Sequence, residues 1–150
     1  MLVRRATAFD FSDICRLIAA WHDETPMNYP AWEEAASIHW IADTIADGAV
    51  FVLIDEESSK IIGSIGLSGQ KYPWNKSVWV LECEWFHVDI DKRGGGGGAV
   101  SLIEAAKGFS DKHSSPLVLS IMQGLDAELK DRFISTCGFD YAGGNFVYGL

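Results

Sequence analysis

Two features of this chain have residue types and spacing that could do chemistry. One is a pair of glutamates, Glu82 and Glu84, inside the otherwise apolar run "VWVLECEWFHV" (78–88). The other is the stretch "DKRGGGGGAV" (91–100), in which Lys92 and Arg93 lead into five consecutive glycines, Gly94 to Gly98, followed by Ala99. A spacing of two puts Glu82 and Glu84 on one face of a strand for as long as the strand stays regular. Carboxylates rarely enter such a strand without a partner or a task. The plain alternative is a solvent-facing strand surface with two ordinary glutamates. His87 is one residue off that alternation and is expected to face the other way.

The glycines fall between a strand and a helix, the usual setting of an anion site. The first turn of a helix has backbone N–H groups without internal partners, and its dipole adds partial positive charge. Glycine lets phosphate oxygens approach without meeting Cβ atoms, although it costs about 0.5–1 kcal/mol per helical position against alanine. A Walker A loop is excluded, because Ala99-Val100-Ser101 follows where Lys-Ser/Thr is required. A dinucleotide fingerprint can be drawn through any glycine run, and the acidic residue it needs is not at the end of the next strand; Asp126 lies well beyond.

These residues require elements to position them. "LVRRA" (2–6) reads as a short strand, and Thr7 opens a capping box, "TAFD". Ile14, Leu17, Ile18 and Trp21 form one helical stripe, and Ile38, Ile41, Ala42 and Ile45 a second. The period then changes. "VFVLI" (50–54) and "KIIGSIGLSG" (60–69) read as a hairpin around "DEESS", and "KYPWNK" breaks the pattern before a long strand from Val78 to about Ile90. Ala99, Leu102, Ile103, Ala106 and Phe109 predict a helix packed on one face; "PLVLSI" (116–121) predicts a strand. Leu125, Leu129 and Phe133 mark a helix ending near Gly138, and "NFVYGL" a last strand. Hairpin strands followed by a βαβ crossover predict a single α/β domain over 1–150, a mixed central sheet flanked by about four helices.

Composition narrows the function classes. An apolar content of 48% is that of a globular chain. No apolar run is long enough for a membrane span, which needs roughly 18 residues. "MLVRRATAFD" lacks the apolar core of a secretory signal. Three scattered cysteines, Cys15, Cys83 and Cys137, point away from a disulfide framework or a metal site and toward a reducing cytoplasm. A formal charge of −9 excludes an extended nucleic-acid surface and suits a cationic substrate, or simply solubility.

Arg93-x-x-Gly96-x-Gly98, between a strand and an amphipathic helix, together with the element order and the ending "STCGFDYAGGNFVY", resembles the GNAT superfamily of N-acetyltransferases over nearly the whole chain. The resemblance implies acetyl-coenzyme A as cofactor. Its pyrophosphate would rest on Arg93 and the amides of Gly94, Gly95, Gly96, Gly97, Gly98 and Ala99, with Lys92 as a nearby cation. Val88 matches the family's apolar residue five before the arginine, and the backbone of Phe86, His87, Val88 and Ile90 would pair with the pantetheine arm. The family's first two helices and their loop hold the acceptor; here that segment offers Asp23, Glu24, Tyr29 and Trp32, which could equally form a surface loop with its aromatics tucked into the core.

Acetyl transfer to an amine needs the neutral nucleophile. Deprotonating a lysine-like amine at pH 7 costs roughly 4.6 kcal/mol, so a carboxylate that accepts the proton is the expected catalyst. Glu82, about eleven residues before the arginine, is the family-like choice and Glu84 the other. The family's tyrosine that protonates the departing thiolate is replaced by Ile134, leaving Ser135, Tyr141 and Tyr148 as nearby hydroxyls, or water. The expected activity is direct transfer to a small-molecule or peptide amine in a ternary complex. The competing expectations are a coenzyme A-binding module with little turnover and a nucleotide-binding protein. No nucleic acid or membrane partner is expected, and many members of the family dimerise.

Overall fold

Asp10 ties the first strand to the first helix. Its carboxylate accepts both guanidinium nitrogens of Arg4 at 2.7 and 2.8 Å, and the Thr7 N–H and hydroxyl at 2.7 and 3.0 Å. The predicted capping box therefore forms, but it opens a short 3₁₀ turn, Ala8–Asp10, and α1 (Phe11–Glu24) follows. The computed structural model describes residues 1–24, 32–94, 97–120 and 127–141. Tyr29, Gly95, Gly96, Tyr148 and the strand expected at 145–150 lie outside the described residues.

The remaining elements are β1 (Leu2–Arg5), α2 (Glu34–Ala46), β2 (Val50–Asp55), β3 (Lys60–Tyr72), β4 (Asn75–Val88), α3 (Gly98–His113), β5 (Leu117–Val118) and α4 (Ala127–Thr136). The strands form one sheet in the order β1-β2-β3-β4-β5, antiparallel except for the parallel β4–β5 pair. A mixed sheet with helices is the predicted architecture. "KYPWNK" is the turn of the β3–β4 hairpin and not an interruption, since Tyr72 pairs with Asn75. Of the strand expected at 116–121, only Leu117–Val118 is strand among the described residues.

Two cores lie on opposite faces. Ile14, Leu17 and Ile18 of α1 and Ile41 of α2 pack with Val50, Val52, Ile61 and Trp85; Leu102 and Ala106 of α3 pack with Phe51, Leu53, Ile65, Leu67 and Val88. Of the predicted α1 stripe, Ile14, Leu17 and Ile18 are buried and Trp21 is half-buried beside them. On α2 the buried face is rotated: Ile41 and Thr44 are buried, whereas Ile38 and Ala42 are exposed. The rotation brings Trp40 toward Trp85, ring centroids 5.1 Å apart and nearly perpendicular. An indole packed there covers far more apolar surface than Ala42 could.

β4 departs from regular pairing at one place that matters. Gly66 pairs with Trp85 and Leu67 with Cys83, so Glu84 is an extra residue, a β-bulge. Pairing with β5 holds only at Leu81↔Leu117 and Glu82↔Val118. Past the bulge, from Cys83 to Val88, β4 has no strand neighbour on its outer side among the described residues. The strand ends at Val88; Ile90 belongs to a 3₁₀ turn, Ile90–Lys92, and is 71% exposed. The expectation that extended backbone reaches Ile90 is thereby corrected, because the Ile90 carbonyl accepts the Arg93 N–H inside that turn.

Candidate functional site

The bulge decides which side chains share a face. Glu82 and Glu84 point to the α1/α2 side, as their spacing predicts: Gln70 Nε2 donates to Glu82 at 2.8 Å, and Glu84 accepts from Trp40 Nε1 at 3.3 Å and from the Ser68 hydroxyl. The extra residue then resets the alternation, so Trp85 also faces α2, and His87 two residues on faces that side too. The expectation that His87 faces the other way fails for this reason. His87 lies within the field of Glu24 and Arg16 of α1, while Cys83, Phe86 and Val88 line the α3 side.

Past Glu84 the outer edge of β4 has no strand partner among the described residues. Asp89 N–H bonds the Ile62 carbonyl on the β3 side at 2.8 Å, whereas the Val88 carbonyl turns outward and accepts Arg93 Nε at 2.7 Å. Alternation turns the Phe86 N–H and C=O outward as well. At the end of this edge the chain makes a 3₁₀ turn and enters α3 through the glycines.

The glycines have separate reasons. Gly94 and Gly97 adopt φ of +76° and +72°, and a Cβ built on either would meet nothing within 4 Å, so the space in front of them is open. Gly98 has an ordinary backbone, but its Cβ would fall 2.6 Å from Leu53 Cδ2, so α3 could not approach β2 with a side chain there. The N-terminus of α3 has no side-chain cap and no acidic residue in its first turn. Its leading amides are therefore available to an anion, and the left-handed N-cap Gly97 presents them without a Cβ.

The cations beside this turn are already paired. Arg93 Nη2 donates to Glu24 at 2.7 Å and approaches His87 Nδ1 at 3.4 Å; Lys92 Nζ meets Asp55 at 3.2 Å. Burial, the largest effect, pulls the His87 imidazole below its ordinary value, so the ring is neutral near pH 7. With Arg93 donating to Nδ1, the ring proton sits on Nε2, which is buried and finds no hydrogen-bond partner among the described residues. Cys83 lies between the two glutamates, but burial, reinforced by the Glu84 charge, pushes its thiol up to about 12. It stays protonated and is no nucleophile.

Of the expected acceptor residues, Asp23 and Trp32 both flank the His22 imidazole, while Glu24 turns to Arg93. Asp23 is exposed, and its carboxylate lies 3.7 Å from the His22 imidazole; Glu24 is on Arg93; Trp32 packs edge-on against His22, with ring centroids 5.5 Å apart, at the margin of the α1/α2 core. Ser135 is exposed on α4, whose end is tied to α3 by Lys107 Nζ on the Cys137 carbonyl at 3.0 Å, and no hydrogen bond among the described residues joins it to either glutamate. Tyr141 is exposed as well. The residues that do surround the glutamates, Trp40, Ser68 and Gln70, carry no signal in the sequence taken alone. On β3, Ser68 pairs with Glu82 and Gln70 with Val80, so each reaches a glutamate diagonally, a relation that becomes readable once the hairpin register is known.

No family model matches this sequence. No curated protein matches it. Solved structures do match along the entire length. A Trypanosoma brucei acetyltransferase aligns over 99% of both chains at 20% identity and a TM-score of 0.72. The aminoglycoside-modifying enzyme AAC(6')-Iy, solved with the bisubstrate analogue CoA-S-monomethyl-acetylneamine, aligns over 99% of this chain and 97% of its own at 14% identity and a TM-score of 0.75. Glucosamine-6-phosphate N-acetyltransferase from Arabidopsis thaliana gives 14% identity, the same coverage and a TM-score of 0.73. These likenesses run over nearly the whole chain and concern its fold: the chain has the GNAT acetyltransferase fold.

Proposed function

We propose that this protein is an acetyl-coenzyme A-dependent N-acetyltransferase acting on a primary amine. One observation carries the reading. The edge of β4 past the Glu84 bulge, without a strand neighbour among the described residues, leads through the Ile90–Lys92 turn to an uncapped, glycine-led helix start beside Arg93. That arrangement fits a long ligand with an amide-bearing arm and a pyrophosphate. The outward backbone of Phe86 suits the arm as an added strand. The amides of Gly97, Gly98 and Ala99 suit the phosphates, with Arg93 turning from Glu24 to meet them.

Acetyl-coenzyme A, when bound, supplies the thioester carbonyl that the amine attacks. Glu84 accepts the amine's proton. Each of its oxygens holds one hydrogen bond, from Ser68 or Trp40, and keeps a lone pair for this work. Glu82, paired with Gln70 nearer the exposed end of the face, attracts the cationic acceptor before its proton leaves. This assignment prefers Glu84 over the family-like Glu82, because Glu84 stands where β4 separates from β5. The departing thiolate takes its proton from water, so Ile134 at the tyrosine position does not block turnover.

Two of the structures named above carry amino-sugar amines in their names, acetylneamine and glucosamine-6-phosphate, and of such acceptors a cationic one without a phosphate suits a chain of formal charge −9. The test is release of free thiol from acetyl-coenzyme A in the presence of a panel of primary amines: an amino sugar, a diamine and a lysine-containing peptide. Thiol release that depends on one amine class supports the enzyme. Tight acetyl-coenzyme A binding with no amine-dependent thiol would replace it with a binding module.

A further inference from the structure

We infer that Trp40 is a positioning residue for Glu84, aiming one carboxylate oxygen through its indole N–H; the inference rests on the reading of Glu84 as the proton acceptor. The support is a chain of contacts that leaves Trp40 little freedom. Gly66 lies opposite Trp85, and a Cβ on it would fall 2.4 Å from the Trp85 ring, so the missing side chain is what lets this indole lie against β3. Trp85 is then fixed by donating its own Nε1–H to the Ser64 hydroxyl at 2.9 Å, both groups fully buried. Trp40 packs edge-on against this immobile ring at 5.1 Å. One helical turn on, Thr44 donates back to the Trp40 carbonyl at 2.8 Å.

With the ring so held, the only polar atom of the Trp40 side chain points at Glu84 Oε2. Ser68 holds Oε1 from β3. The bulge makes this meeting a geometric necessity: it turns Glu84 and Trp85 to the same side, so that one indole on α2 touches both. A regular strand would have sent Trp85 to the α3 face and left Trp40 without its support. Glu82 has no comparable support, since Gln70 is a flexible amide at an exposed position. The indole also brings apolar surface beside the carboxylate, shielding one side of it from water without adding a competing charge.

Two measurements test this role. In the ¹⁵N-correlated spectrum of the ligand-free protein, W40F identifies the Trp40 indole signal by its disappearance. E84Q should then shift that signal while leaving the other indoles in place. In the thiol-release assay with the amine panel, W40F keeps the ring packing and removes the N–H. It should lower kcat about ten-fold, the loss expected for one hydrogen bond to a charged group, with the KM for acetyl-coenzyme A unchanged. Added to E84Q, W40F should cost nothing further.

An unmoved Trp40 signal in E84Q would overturn the contact. Wild-type kcat in W40F, or an equal additional loss in the W40F/E84Q double variant, would overturn the positioning role and leave a packing residue. A wild-type protein that turns over none of the amines would instead overturn the acetyl-transfer reading, and the kinetic role with it, whatever the indole signal does.

Discussion

Glu82 and Glu84 are two residues apart on one strand, yet their surroundings differ enough to give opposite predictions. Glu84 is half-buried between an indole N–H and a hydroxyl; Glu82 accepts one bond, from an exposed amide. E84Q should therefore lower kcat by about 10²–10⁴, the usual contribution of a general base. E82Q should act mainly on the KM of the amine. Steady-state kinetics on both variants separates these outcomes, and a large kcat loss in E82Q alone would reverse the assignment. Arg93 gives the second residue-scale prediction. Its partner Glu24 competes with any phosphate for the same guanidinium. Both side chains of the pair are well exposed, so the competition is mild. E24Q should tighten acetyl-coenzyme A at most about five-fold, measured by calorimetry; weaker binding would mean that Glu24 orients Arg93 for the ligand.

The glycine-led start of α3 concerns an element. Gly97 and Gly98 are one undivided signal in the sequence, but the structure separates them, and two substitutions should do the same. Gly97→Ala places a Cβ on a left-handed residue, at a cost of about 1–2 kcal/mol. The added methyl projects into open space in front of the turn. Gly98→Ala drives a methyl into Leu53 Cδ2 inside the α3 core. Overpacking of that kind costs about 1–3 kcal/mol. Thermal unfolding should show both losses. Acetyl-coenzyme A affinity should fall more for Gly97→Ala, which puts a methyl in the open space in front of the α3 amides, than for Gly98→Ala, which strains the packing behind them. The opposite order would move the anion site away from the left-handed turn.

The same scale shows what a sequence reveals in advance. The turn is legible because glycine is the one residue whose presence reports backbone shape directly. The bulge is not. No glycine or proline marks it within β4, and its register is set by the distant Gly66, Leu67 and Ser68 of β3. That one residue of slippage puts His87 on the face opposite to the expected one. Trp40 escapes notice because the α2 stripe is counted on Ile and Ala, while the helix rotates to pack its largest side chain.

For the whole molecule, two cores on opposite faces of one sheet leave Glu82 and Glu84 on the α1/α2 side and the glycine turn beyond the end of β4. Element order, sheet type and most helix faces follow from periodicity, since burial imposes it along the chain. The partners of Glu24, Lys92 and Arg93 do not, because ion pairs between distant segments leave no local pattern.

Stability should follow pH through two buried groups. Asp10 is held at about 2, against an ordinary 3.8, chiefly by its hydrogen bonds from Arg4. A depressed carboxylate stabilises the fold above its unfolded value and loses that contribution as pH falls through the folded one. The contribution, about 2 kcal/mol, should therefore be whole above pH 4 and drain away toward pH 2. His87, lowered by burial from 6.5, adds a shallower loss that begins as pH drops below 6.5, where the unfolded chain takes up its proton first. Denaturant unfolding across pH should show both limbs, with the lower one absent in Asp10→Asn.

The central claim is that the β4 edge and the α3 turn together hold acetyl-coenzyme A. Calorimetric titration with acetyl-coenzyme A, ATP and NAD in parallel tests it most directly. The account predicts selective binding of acetyl-coenzyme A, abolished by Gly97→Val and weakened by Arg93→Ala, because ATP and NAD share the phosphates but not the arm that pairs with the strand. Equal affinity for all three, or no heat from acetyl-coenzyme A, would contradict it.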